Sequence, residues 1–92
     1  VRERAYGNNN GDITQSQLTK DFILDERARE LYWEGLRRTD LIRYGYYTTG
    51  KYKWAWKGNV QEGSPTDAHY KVFPLPASEV NSNPNLTQNQ GY

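Results

Sequence analysis

Residues Phe22–Gly45 read FILDERARELYWEGLRRTDLIRYG. Leu24, Ala28 and Leu31 fall at i, i+4 and i+7, the spacing that lines one face of an α-helix, and Phe22 and Tyr32 widen that stripe. The opposite surface carries Asp25, Glu26, Arg29 and Glu30, with Glu26 and Arg29 at i, i+3, where unlike charges attract. The Ser and Thr residues between Thr14 and Thr19 suit the N-terminus of this helix. Gly35 weakens a helix by about 1 kcal/mol relative to Ala, so a break is expected there. A second short helix should then run from Arg37 or Arg38 to Tyr44. Asp40 stands in its first turn and Arg43 in its last, both favourable to the helix dipole, and Gly45 provides the stop.

Outward from this helix pair the chain loses its helical period. Val1–Tyr6 reads as the last turns of a helix, with Arg2 and Arg4 suited to its C-terminal dipole and Gly7 beyond its end. Asn8–Asp12, NNNGD, is turn-rich. From Tyr46 to Val72 glycines and Pro65 punctuate a long irregular run of the kind that carries function or lies over a larger body. Within it Tyr52, Trp54 and Trp56 alternate with Lys51, Lys53, Ala55 and Lys57. In an extended strand that alternation places the three rings on one face, roughly 7 Å apart. Phe73–Pro76 is short and extended, and Pro76–Val80 suits one helical turn with Pro at its start. Turn signals at Asn83-Pro84 and Gln90-Gly91 break up the Asn-rich tail. The organisation expected is thus a helix end over 1–7, a linker over 8–18, a helix pair over 19–45, and long loops over 46–92 with short extended and one-turn helical pieces.

Composition bounds the rest. Leu, Ile, Val and Phe number 16 of 92 residues, about 17%, against 14% aromatic residues and a net charge of +1. Low net charge argues against disorder, but so few aliphatic side chains predict a thin core, completed by residues outside these 92. There is no Cys and one His, so neither disulfides nor a Cys- or His-based metal site is expected. No apolar run approaches the roughly 20 residues that span a bilayer, and VRERAYG lacks a signal-peptide layout.

Three constellations bear on chemistry. Glu26, Glu30 and Glu34 share a helix face, but Arg27, Arg29, Arg37 and Arg38 lie close enough to pair with them. A carboxylate paired with Arg has a lowered pKa, the wrong direction for a general acid, so ion pairing is the better reading. Between Arg37 and Lys57 six basic residues face one acid, a formal +5, with six aromatics interleaved. That mixture suits single-stranded nucleic acid, although no nucleic-acid motif is present and the whole chain is near neutral. The same rings fit carbohydrate, whose apolar C–H faces lie flat on Trp or Tyr while its hydroxyls need amide, carboxylate and guanidinium partners. From the residues alone the favoured reading is that Trp54 and Trp56 are packing anchors that pin the loop. His69 reads as a surface histidine, and Asn85-Leu86-Thr87 matches a glycosylation acceptor too short to carry weight.

The order DERARELYWEGLRRTDLIRYG, KYKWAWKG and YKVFPLPASEVNSNPNLTQNQGY resembles the C-terminal end of SusD/RagB-like nutrient-binding lipoproteins. The likeness runs from about Leu18 to Tyr92, with Val1–Gly7 similar to the family's preceding helix end. Gln90 departs from the proline that many members have in the NQGY turn. The resemblance implies a mainly α fold, in which this segment supplies C-terminal helices and long loops of a larger tetratricopeptide-like scaffold. It implies non-catalytic capture of oligosaccharides or other nutrients at the extracellular face of the Bacteroidetes outer membrane, for import through a SusC-like TonB-dependent transporter. No cofactor, metal or nucleic acid is implied, and the membrane is reached only through an N-terminal lipid anchor outside these residues. Glu26, Arg27, Arg29, Glu34, Arg38, Asp40 and Arg43 then form a structural signature fixing the helix pair. If the segment touches ligand, Trp54 and Trp56 are the contacts expected, with Tyr52 behind them. The other reading is a segment that packs on the transporter or the parent domain and touches no ligand.

Overall fold

Thr19 starts the main helix by accepting the Phe22 N–H on its side-chain oxygen at 3.1 Å, which satisfies one of the amides a helix N-terminus leaves open. In the computed structural model, which describes residues 1–92, this helix is α2, Lys20–Glu30. It follows α1, Arg2–Tyr6, and precedes α3, Arg37–Arg43, and α4, Ala77–Ser82. Short 3-10 turns lie at Asn9–Gly11, Gln15–Gln17, Lys57–Asn59 and Ala68–Lys71, and there is no β-strand. The chain is mainly α. No helix is long and apolar enough to cross a membrane. It divides into two compact units, Val1–Asp40 and Leu41–Tyr92.

In the first unit the apolar stripe is partly realised. Leu24 is 3% exposed, while Phe22, Ala28 and Leu31 are half-buried. Tyr32 departs from expectation, because α2 ends at Glu30 rather than at Gly35. The Leu31 carbonyl accepts the Glu34 N–H at 3.1 Å, closing a four-residue turn in place of the helical ladder. That turn carries Tyr32 off the buried face, leaving it 73% exposed, and its third residue, Trp33, is left-handed at φ 67 and 88% exposed.

Guanidinium forks do what apolar area does not. Arg27 grips Asp40 with both arms, Nε to Oδ2 at 2.9 Å and Nη2 to Oδ1 at 3.0 Å, joining the middle of α2 to the first turn of α3. Asp40 is 3% exposed, so its carboxylate has exchanged water for this partner. Arg37 reinforces the join by donating from Nη1 to the Leu24 carbonyl at 2.9 Å, with Nη2 3.5 Å from Asp25. Arg2 of α1 forks onto Glu26, Nε to Oε1 at 3.1 Å and Nη2 to Oε2 at 3.0 Å, and its Nη1 reaches the Gly11 carbonyl at 2.8 Å. Arg29 also meets Glu26 at 2.9 Å, and Arg4 pairs with Glu30.

The signature residues therefore divide in a way that spacing along one helix does not reveal. Arg27, expected beside the α2 glutamates, is turned to Asp40, and the glutamates take their partners from α1 as well as from Arg29. Glu34 sits in the exposed turn after α2.

Replacing Arg27 by Ala should cost about 2–3 kcal/mol of unfolding free energy in a denaturant titration, below the roughly 3–5 of a fully buried pair because Arg27 is 37% exposed. Arg27→Lys should recover only part of that loss, since an ammonium cannot fork. A second expectation concerns acid. The Arg2 hydrogen bonds, and then those of Arg29, hold the Glu26 carboxyl below its ordinary 4.5. A lowered folded pKa favours the folded state above the ordinary value, and the contribution is lost as pH falls through the folded one. Thermal melts of Glu26→Gln should accordingly show a shallower loss of Tm below pH 4.5 than the unsubstituted protein.

Candidate functional site

The second unit begins at Leu41, within α3, and that helix stops at Arg43. The Tyr46 and Tyr47 N–H groups both return to the Leu41 carbonyl, at 2.8 and 3.2 Å, and Gly45 N–H bonds Ile42 O at 3.0 Å. The reversal requires φ 75 at Gly45, a value glycine adopts without penalty. Leu41 is fully buried at this corner.

Lys51–Lys57 is not an extended strand. The Trp54 carbonyl accepts the Lys57 N–H at 3.1 Å, so the chain turns at the place where alternation predicts extension. The three rings consequently do not line one face. Trp54 is the hub of an edge-to-face cluster, with Tyr52 at 4.9 Å and 80° and Tyr47 at 6.2 Å and 80° between ring centres. Lys57 Nζ stands 5.4 Å from the Trp54 ring centre and donates to the hydroxyl of buried Thr66. Beside this cluster Tyr44 and Tyr46 meet edge-on at 6.1 Å, and Lys51 Nζ donates to the Tyr46 hydroxyl at 2.7 Å. The backbone is equally tight. Gly63 is buried, and a Cβ built there lies 2.1 Å from the Trp54 carbonyl oxygen.

Trp56 behaves differently. It is the third residue of the Trp54–Lys57 turn, left-handed at φ 66, and 66% exposed. That backbone region costs a bulky side chain of order 1–3 kcal/mol. Its N–H bonds Gln61 O at 3.3 Å and its carbonyl accepts Asn59 N–H at 3.0 Å, bringing two exposed amide residues beside it.

A further cluster, not foreseen from the sequence, surrounds His69. Asp67 accepts from the His69 backbone N–H at 3.1 Å and lies 2.7 Å from its Nδ1, and these bonds hold the Asp67 carboxyl below its ordinary 3.8. The imidazole packs against Tyr70 at 3.9 Å and meets Tyr92 edge-on at 4.9 Å. The C-terminal tail laces over the preceding extended piece. Gln88 bonds both the N–H and the carbonyl of Leu75, at 2.8 and 2.9 Å, Asn89 Nδ2 donates to Phe73 O at 2.7 Å, and Tyr92 donates its hydroxyl to Val72 O at 2.8 Å. A groove of about 440 Å³ lies between Asp67–Val72 and Asn89–Gln90. In the first unit a larger groove, about 610 Å³, is lined by Ile13, Leu18, Phe22, Ile23 and Leu31 beside the Arg2–Glu26 pair.

Glu26 has a lowered pKa and two guanidinium partners, which suits it to ion pairing and not to donating a proton. No group of three His, Asp or Glu residues is placed to hold a metal ion. What the second unit offers is aromatic surface edged with amides and cations.

The sequence matches the SusD family over residues 1–92. It is 40% identical over 100 aligned residues to the starch-binding protein SusD of Bacteroides thetaiotaomicron, an alignment covering 97% of this chain and 18% of that relative's length.

The close pass of Gly63 under Trp54 gives a direct test of the loop's construction. Gly63→Ala should cost well over about 1 kcal/mol, since it adds both a left-handed penalty and a clash with backbone. Trp fluorescence should shift with it as the Trp54 ring loses its neighbours.

Proposed function

The chain belongs to the SusD family, and we propose that it serves non-catalytic capture of glycans at the extracellular face of the bacterial outer membrane. The captured nutrient would pass inward through a SusC-like TonB-dependent transporter. The observation that carries this reading is the likeness, along almost the whole chain, to a protein named for binding starch. The chemistry of the second unit supports it. Tyr52, Trp54 and Trp56 supply aromatic rings, and Lys53, Asn59, Gln61 and Glu62 are exposed polar residues of the same loop that suit hydroxyl groups. Selectivity then rests on stacking surfaces and hydrogen bonds, with no bond made or broken.

A second reading, that this segment holds the transporter or the parent domain and touches no ligand, draws on the contacts of Trp54 with Tyr47, Tyr52 and Lys57. The nucleic-acid reading is weaker, because three of its six basic residues are already engaged. Arg37 is held by Leu24 O and Asp25, Lys51 by Tyr46 and Lys57 by Thr66.

Calorimetric titration of the full-length protein against a panel of plant, host and microbial glycans, starch oligosaccharides included, tests the proposal. Saturable binding to one class is expected, with little change between low and moderate salt. Phosphate-driven binding would instead weaken by roughly 10³-fold or more between about 50 and 200 mM salt. A folded protein that binds nothing in the panel would favour the second reading.

A further inference from the structure

We infer that the groove of about 610 Å³ in the first unit is the seat of an amphipathic helix from the rest of the full-length chain, laid with its apolar face on α2. The groove needs such cover whether or not the protein captures glycan. Val1, Ile13, Leu18, Phe22, Ile23 and Leu31 line it. Leu18 is 57% and Ile23 42% exposed, so aliphatic side chains meet water together in a concavity and not singly on a convex surface. Leu24 turns into the unit, and Ile23 lies about 100° round α2 from it, outside the stripe that the unit itself buries. A helix with apolar groups on two sides calls for cover on both. The seat is also preformed. Arg2 fixes α1 to α2 through Glu26 and the Gly11 carbonyl, with its guanidinium 5.0 Å from the centre of the Phe22 ring. Gly11 lies so close under Tyr6 that a Cβ built there falls 2.3 Å from the ring.

The charged groups of the lining show what the occupant need not bring. Arg2 is bonded to Glu26, Arg27 to Asp40 and Glu30 to Arg4, while Asp12 is exposed to water. With these charges matched inside the unit, the groove asks for apolar area and not for counter-ions. Contacts of that composition are characteristic of permanent association, because surfaces that meet and part are about as polar as the protein exterior. A permanent occupant is at hand in the chain itself. The aligned segment covers 18% of its SusD relative, which leaves most of that length outside these residues. The groove's own long wall is a helix, and a helix answers it with anchors at i, i+3, i+4 and i+7.

Hydroxyl-radical footprinting of the unsubstituted full-length protein reads these side chains directly. In the monomer, with transporter and glycan absent, Leu18, Phe22 and Ile23 should be oxidised far more slowly than in the urea-unfolded chain. Oxidation at the unfolded rate would overturn the inference. Protection that appears only as protein concentration rises would give the groove to a second copy, and protection only with the transporter present would give it to that partner; either result overturns the inference. Ile23→Gln supplies an independent sign. Under a covering helix it should lower Tm by at least about 2 °C. In a groove open to water it would leave Tm unchanged or raise it, since glutamine is the better helix former, and that result would also overturn the inference. Should this variant fail to fold, the footprint decides. In a crystal structure of the monomer a helix from elsewhere in the chain should fill the groove, and a loop, a strand or solvent there would contradict it. Absence of glycan binding would leave this docking standing.

Discussion

The bidentate bond between Arg27 and Asp40 is the constraint on which the first unit depends. Asp40 lies almost wholly out of water, and a carboxylate in that position is tolerable only when its oxygens meet well-directed donors. The planar guanidinium supplies two parallel donors, which fixes orientation as well as distance. Register between α2 and the start of α3 follows from that geometry more than from apolar contact, since Leu24 is the one large apolar side chain of this unit that is fully withdrawn from solvent. The Arg2–Glu26 fork repeats the device between α1 and α2 at a more exposed site, where each pair contributes less.

The second unit is organised by different means. Its turns are closed by backbone hydrogen bonds, its rings meet edge to face, and its tail is sewn down by amide side chains that imitate backbone partners. Edge-to-face contacts set ring orientation without needing an enclosed core. A loop built this way can be rigid near its hub and still leave one ring in water. That combination suits a surface that binds by complementarity.

Local features were readable in the sequence, and distant ones were not. The Thr19 cap, the Leu24 and Ala28 positions, the second helix from Arg37 and the stop at Gly45 all follow from spacing within a few residues. The partners of Arg27 and Arg2 lie 13 and 24 residues away, and nothing in the helix period points to them. Two local readings failed because a turn prevailed. At Leu31–Glu34 an i to i+3 bond ended α2 before the glycine expected to break it. At Trp54–Lys57 the same kind of bond overrode the alternation that predicts a strand, and both turns hold a tryptophan at the left-handed corner. Because a left-handed tryptophan is rare, side-chain identity gave no warning of either turn. The His69 cluster was missed for a related reason, since Tyr92 reaches it from 23 positions along the chain.

The central claim, that this segment helps capture a glycan through a ring offered to solvent, is met most directly by a crystal structure of the full-length protein with oligosaccharide bound. The account predicts a pyranose ring lying against one of the Tyr52, Trp54 or Trp56 rings, with exposed amides of the same loop bonded to its hydroxyls. An oligosaccharide bound elsewhere, with the 50–63 loop untouched, would contradict it.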